Sequence, residues 1–307
     1  MAEESKTAVI AAMGANFAIA VGKLAAGLLT GSAAMLAEAG HSIADTVNQV
    51  FLLVGLNLSG TEADESHPHG YGKEAFFWSF LAAIFIFVAG AAFSVYEGIR
   101  TLVQTHGHER SSSDLAIAFG VLGMAFVFES VSFAVAVRSL ISSARKLGWS
   151  FGRYVRKSPD LTTKTVFWED SAALVGLVLA ASGLFLSEVT NNEDWDGFAS
   201  LGIGAVLTVV ALMLGTQARS LLIGASAGPD TLAGIDATLR SFPEVERVVR
   251  VLTMQMGSHS VLVSGELEVR PDLSLEEAEI LLERIDAKLE ASFPEVGDTF
   301  WEIKRKK

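Results

Sequence analysis

The sequence predicts a membrane all-α bundle of six helices followed by a small α+β domain. Three observations carry this reading. The 307 residues are 50% hydrophobic and only 19% charged, with a mean hydropathy of +0.42, whereas soluble domains sit nearer a quarter charged. The apolar excess is concentrated in long blocks before about residue 224. The remainder is patterned like an ordinary soluble domain. The expected division is therefore 1–224 for the transmembrane part and 225–307 for a C-terminal, cytoplasmic part.

A spanning helix needs about 20 mostly apolar residues. Blocks at 7–29, 32–58, 76–102, 115–139, 165–186 and 198–222 meet that requirement. Thr30 and Gly31 form the turn between the first two, because glycine tolerates the backbone angles of a tight turn. The segment 1–6 lacks a basic start and a small-residue cleavage site, so the first block is expected to be a retained helix. The 138–164 stretch carries Arg138, Arg145, Lys146, Arg153, Arg156, Lys157 and Lys164 against the single acid Asp160. By the positive-inside rule that loop and both termini face the cytoplasm, and the acidic start without a targeting signal fits a bacterial inner membrane. The acidic stretch 191–196 then lies outside.

After residue 226 the pattern changes. A short helix is expected over 230–241, strands over 245–254 and 260–269 around a 256–258 turn, and a last strand over 298–304. Between them, 274–292 reads as an amphipathic helix. Ser274 and Glu277 form a capping box, and Leu281, Leu282, Ile285 and Leu289 form the apolar face. The order is α-β-β-α-β.

Composition excludes several functions. The chain has no cysteine, so disulfides and thiolate metal sites are ruled out, and any metal must be held by His, Asp, Glu or backbone oxygen. A net charge of −12 argues against nucleic acid as a partner. There is no HExxH motif and no nucleophile–base pair that would suggest an enzyme.

Ionisable side chains are costly in hydrocarbon and face a pathway or a partner. His41 and Asp45 stand four residues apart in the second block and so share one helical face. Two readings fit the pair: half of a tetrahedral site for an ion such as Zn²⁺, or a His–Asp hydrogen bond between helices. Glu169 and Asp170, near the start of the fifth block, point about 100° apart. Either can ligate, or Glu169 can cap its helix at the membrane edge. Glu129, mid-block, is a proton-coupling candidate. Lys23 and Glu38 are expected near helix ends, with their charges snorkelling. Asn16 and Asn48 can glue helices or offer oxygen ligands. The 64–73 loop, with Asp64, His67 and His69, is either a solvated acidic-histidine loop or a peripheral metal site. His106, His108 and Glu109 read as surface residues, and His259 alone is a weak signal.

Four stretches carry a resemblance to a known family. LTGSAAMLAEAGHSIADTVNQ (29–49), HPHGYGKE (67–74) and LLIGASAGPD (221–230) resemble the cation diffusion facilitators. WEDSAALVG (168–176) is similar to the branch of that family that includes the ninth mammalian zinc transporter and bacterial relatives. The resemblance implies a six-helix metal transporter with a ferredoxin- or metallochaperone-like cytoplasmic domain. It implies His41 and Asp45 as transport-site ligands with Asp170 as a third, and homodimerisation through the soluble domain. It also implies a zinc/proton antiporter for efflux, with Co²⁺, Fe²⁺ or Mn²⁺ as other substrates of the same donor set. Two departures stand out. Val166 occupies the position four before Asp170, which leaves Glu169, Glu129 or water as the fourth ligand. Tyr71 replaces a second loop histidine, and Ser264-Gly265 stand where the second strand of the soluble domain usually carries one. The competing classes are a metal-sensing membrane regulator that does not transport, and a proton-coupled carrier of a small organic cation.

Overall fold

A computed structural model describes residues 2–103, 111–158, 161–258 and 260–304. His106, His108, Glu109, Asp160 and His259 lie outside the described residues. The chain divides into two compact units. One holds 1–54, 78–156 and 160–217; the other holds 55–77, 157–159 and 218–307.

The first unit is helical. Helices α1 (Ala2–Thr30) and α2 (Ala33–Ser59) are joined at Gly31, whose φ of 63° is the left-handed turn conformation. Helix α3 (Glu74–Phe85) runs through a π-helical segment (Ile86–Ala92) into α4 (Phe93–Val103). Then come α5 (Ser112–Lys146), the short α6 (Phe151–Lys157), α7 (Leu161–Thr190) and α8 (Asp194–Ile223). Among the described residues four helical stretches are long and apolar enough to cross a membrane: Glu74–Val103, Ser112–Lys146, Thr163–Thr190 and Asp194–Ile223. Asn16–Thr30 is a shorter apolar stretch. In α2, His41, Asp45, Asn48 and Gln49 dilute the hydropathy of a 27-residue helix. The protein is thus an integral, multi-pass membrane protein.

The interior of this unit is built on small side chains. Ala26, Ala34, Ala37, Ala91, Ala118, Ala125, Ala172 and Ala180 are buried, together with Leu177, Leu184, Ile203 and Leu207. Small residues let helix backbones approach closely where lipid supplies no hydrophobic drive between helices. One such approach involves the π-helical segment. A Cβ on Gly40 of α2 would meet Phe93 Cδ1 at 2.8 Å and the Ala89 carbonyl oxygen at 3.1 Å. The widened turn is tied down by Ser94, whose hydroxyl donates to the Gly90 carbonyl at 2.7 Å, and by Ser200 of α8, which donates to the Ser94 carbonyl at 2.8 Å.

The second unit contains α9 (Pro229–Arg240), β1 (Val245–Gly257), β2 (Ser260–Val269), α10 (Leu275–Ser292) and β3 (Val296–Lys304). The sheet is mixed, with order β1-β2-β3: β1 pairs antiparallel and β3 parallel with the central β2. Its core joins Val263 and Leu267 of the sheet to Ile235, Leu239, Leu281, Ile285 and Leu289 of the two helices. The capping box forms: Ser274 Oγ accepts from Glu277 N at 3.2 Å, and Glu277 Oε2 accepts from Ser274 N at 2.8 Å. Gly265 is required at mid-strand, because a Cβ there would collide with the indole of Trp301 on β3.

Candidate functional site

The polar interior of the helical unit starts with a charge pair that the sequence misplaces. Lys23 and Glu38 do not snorkel. Both are fully buried, and Lys23 Nζ lies 2.9 Å from Glu38 Oε2 while also donating to Ser42 Oγ at 2.8 Å. The reason is geometric. The two residues lie at the same distance on either side of the Thr30–Gly31 junction, so the α1–α2 hairpin brings them face to face. Gly176 of α7 leaves the room, since a Cβ there would strike the Glu38 carboxylate.

One turn further along α2 stand His41 and Asp45. His41 is 1% exposed, and its Nδ1 is 3.4 Å from Asp45 Oδ1. The two atoms do not form a hydrogen bond. Both imidazole nitrogens and Asp45 Oδ1 are buried without a hydrogen-bond partner. The expected alternative, a His–Asp hydrogen bond tying two helices together, is therefore not what the structure contains: both residues are on α2, and the polar atoms are left open.

Glu169 and Asp170 diverge as their 100° separation requires. Glu169 points to α2, where the Asn48 side-chain amide donates to both carboxylate oxygens, at 2.5 Å to Oε2. Asp170 points to α5, where Ser132 Oγ donates to Oδ2 at 2.8 Å. The capping reading of Glu169 is corrected. Helix α7 begins at Leu161, about one turn earlier than the apolar pattern suggests, so Glu169 is an interior residue, 5% exposed. Glu129 of α5 is also buried. Three helices, α2, α5 and α7, thus carry the buried acids and the one histidine of this interior. Among the described residues no three His, Asp or Glu side chains are close enough to hold one ion together. The His41–Asp45 pair is assembled, while Glu169 is held by Asn48 and Asp170 by Ser132.

The 64–73 loop, within the second unit, is organised around Asp64. Its Oδ1 accepts from Ser66 N at 2.9 Å, Ser66 Oγ at 2.7 Å and His67 N at 2.8 Å, and its Oδ2 accepts from the Tyr71 hydroxyl at 2.9 Å. These bonds, the Ser66 hydroxyl first, hold the Asp64 carboxyl down at about 2. Tyr71, at the position of the missing histidine, stacks on His67 with centroids 4.1 Å apart. His69 turns elsewhere, its Nδ1 2.7 Å from Asp298 Oδ2 on β3. Asp64 and His67 are neighbours, at 3.9 Å, but His69 does not join them.

Asp196 is a structural residue that the sequence hides. It sits in the acidic stretch expected to be solvated, yet it is fully buried in the first turn of α8. Its two carboxylate oxygens accept from Ser32 Oγ and Ala33 N, each at 2.6 Å, and so cap α2.

These features define a multi-pass membrane protein with a buried, acid-rich polar interior and a small α+β domain. Family comparison agrees. The family model described as the cation efflux transmembrane domain matches residues 9–223, and the one described as the cation efflux protein cytoplasmic domain matches 227–303. The chain belongs to the cation efflux, or cation diffusion facilitator, family. Similar relatives include the mitochondrial proton-coupled zinc antiporter SLC30A9 of Xenopus laevis, 36% identical over 80% of this chain and 43% of that protein. Its Homo sapiens counterpart is 32% identical over 91% of this chain and 49% of that protein. Metal tolerance protein C4 of Arabidopsis thaliana is 30% identical over 87% and 57% respectively. The chain spans about half the length of the curated relatives it matches.

Proposed function

We propose that the chain exports divalent cations in exchange for protons, with zinc as the favoured substrate and Co²⁺, Fe²⁺ or Mn²⁺ as others that the donors suit. One observation carries the reading: the two nitrogens of His41 and the Oδ1 of Asp45 lie side by side, buried and without hydrogen-bond partners. A buried polar atom left unpaired costs about 1–3 kcal/mol, and a cation ligated by both side chains recovers that cost. His41 and Asp45 are the first ligands. Asp170 is the third, reached when its carboxylate leaves Ser132. Glu169 or Glu129 completes the shell or carries the proton.

Binding requires neutral imidazole and ionised carboxylates. Protons and metal therefore compete for the same atoms, which is the chemical basis of exchange. The surrounding acids attract a cation, and the fixed charge of Lys23 offsets Glu38. Alternating exposure of this site to the two faces completes the cycle. The proposal also includes six spans in a 1–224 membrane domain, both termini cytoplasmic, and a homodimer formed through a 225–307 cytoplasmic domain. The match at 227–303 supports the last point. A peripheral ion on Asp64 and His67, with His69 recruited from Asp298, is a further part of the reading. For location, a bacterial inner membrane is one setting, and the relatives named mitochondrial point to a second; membrane fractionation of the native source decides.

The test is flux in proteoliposomes loaded with a zinc indicator and a pH dye. Zinc-driven proton movement is expected to fall at least about 100-fold in His41→Ala and Asp45→Ala, the effect of losing a ligand or its partner. Asp170→Ala is expected to do the same. Unchanged coupling in the His41 and Asp45 variants refutes the ligand assignment, and movement of no divalent cation at all refutes transport. A loss in Glu169→Ala alone, with Asp170→Ala active, moves the third ligand one residue.

A further inference from the structure

The structure assigns an anionic-phospholipid site to the C-terminal end of α5. A surface hollow of about 610 Å³ is lined by Arg138, Ile141, Ser142, Arg145 and Lys146. Arg138, Ser142 and Arg145 recur at four- and three-residue intervals and therefore share one face of the helix. All three cations are exposed, and none has an ion-pair partner among the described residues. A cluster of like charges without acids repels itself and invites an anion.

The same helix face identifies the anion. Continuing the four- and three-residue intervals backward from Arg138 gives Val135, Val131, Phe128 and Met124, all exposed large apolar side chains. The cationic hollow thus sits at the head of an apolar stripe that descends along α5 into the depth of the membrane. A ligand that satisfies both parts has a phosphate at one end and acyl chains at the other. Ile141 supplies an apolar wall at the level of the glycerol backbone, and Ser142 a hydroxyl for a phosphate oxygen. The neighbouring α6 marks the same depth. Trp149 and Tyr154 pack on Leu140 and Ala144 of α5, and the Arg153 guanidinium lies 4.9 Å over the Trp149 ring. Aromatic rings with adjacent cations favour the headgroup level. A soluble phosphate could use the cations but not the stripe, so the occupant is the lipid.

The site is tested on the purified full chain in a non-ionic detergent by native mass spectrometry, titrating phosphatidylglycerol, phosphatidylcholine and inorganic phosphate separately. Retained phosphatidylglycerol adducts are expected in the wild type, with phosphatidylcholine at least about tenfold weaker. Each basic residue at an anionic surface contributes about fivefold, so Arg138→Ala/Arg145→Ala/Lys146→Ala is expected to weaken the adduct on the order of a hundredfold. The charge-conserving Arg138→Lys/Arg145→Lys variant retains most of it, which separates charge loss from misfolding. Val131→Ser/Val135→Ser weakens long-chain lipid more than a short-chain analogue. Equal binding of the triple variant overturns the site. Inorganic phosphate that displaces the lipid at equal concentration overturns the lipid assignment, as does indifference to the valine changes.

Discussion

Removing the charge of Glu38 alone is expected to destabilise the helical unit strongly. In Glu38→Gln the shape is kept, but the Lys23 ammonium, fully buried and held at 2.9 Å by the carboxylate, loses its ion-pair partner and keeps Ser42 as a hydrogen-bond acceptor. Breaking a buried ion pair from one side costs about 3–5 kcal/mol, because the remaining charge stays in a low-dielectric interior. For a domain of roughly this size each kcal/mol moves the unfolding midpoint by about 2–4 °C. The expected loss is thus about 6–20 °C. Lys23→Met strands the opposite charge and is expected to cost a similar amount. The double variant Lys23→Met/Glu38→Gln removes both charges, and burying two uncharged side chains costs far less than stranding one charge. It is expected to unfold within about 5 °C of the wild type. Thermal unfolding of the purified full chain in one detergent, followed by circular dichroism, completes the cycle. Two results refute the reasoning: single variants within about 2 °C of wild type, which means the pair is hydrated, or single effects that simply add in the double variant.

Asp196→Ala removes both acceptors from the α2 N-terminus and is expected to cost about 2 kcal/mol, seen as a fall in midpoint, with Asp196→Asn recovering part of it; a midpoint unchanged in Asp196→Ala rules out the cap. Asp64 is held near 2, below its ordinary 3.8, so its contribution to the loop is present above about pH 4 and is lost as pH falls through about 2. Hydrogen exchange at Ser66 and His67, corrected for intrinsic rates, should show that loss in the wild type and not in Asp64→Asn. Gly265→Ala drives a methyl into Trp301, with Cε3 2.8 Å away, and is expected to cost about 1–3 kcal/mol. Near-ultraviolet circular dichroism that does not change counts against that packing.

Hydropathy and turn chemistry made much of the fold legible. The apolar blocks anticipate the long helices, and Ser274 with Glu277 announces the start of α10 because capping is a local interaction. His41 and Asp45 are legible for the same reason, since four residues on a helix fix a shared face. What stayed hidden depends on contacts far apart in the chain. Leu161 to Lys164 is too polar to read as helix, so Glu169 looked terminal when it is interior. Asp196 looked solvated because its partners lie more than 160 residues away. The Lys23–Glu38 pair could have been found by counting from the Gly31 turn, a signal that hydropathy does not use. Nothing in IFVAGAA distinguishes a π-helical turn from an α-helical one.

The parallel pairing of β2 with β3 constrains how the protein is made. An antiparallel hairpin closes locally, but a parallel partner must be delivered by the intervening α10. The central strand therefore keeps one edge unpaired until residues through 304 have emerged from the ribosome. By then every helix of the first unit has been synthesised. The sheet of the second unit closes only after those helices, and a chain cut before β3 leaves β2 as a bare edge, open to strand addition from another chain.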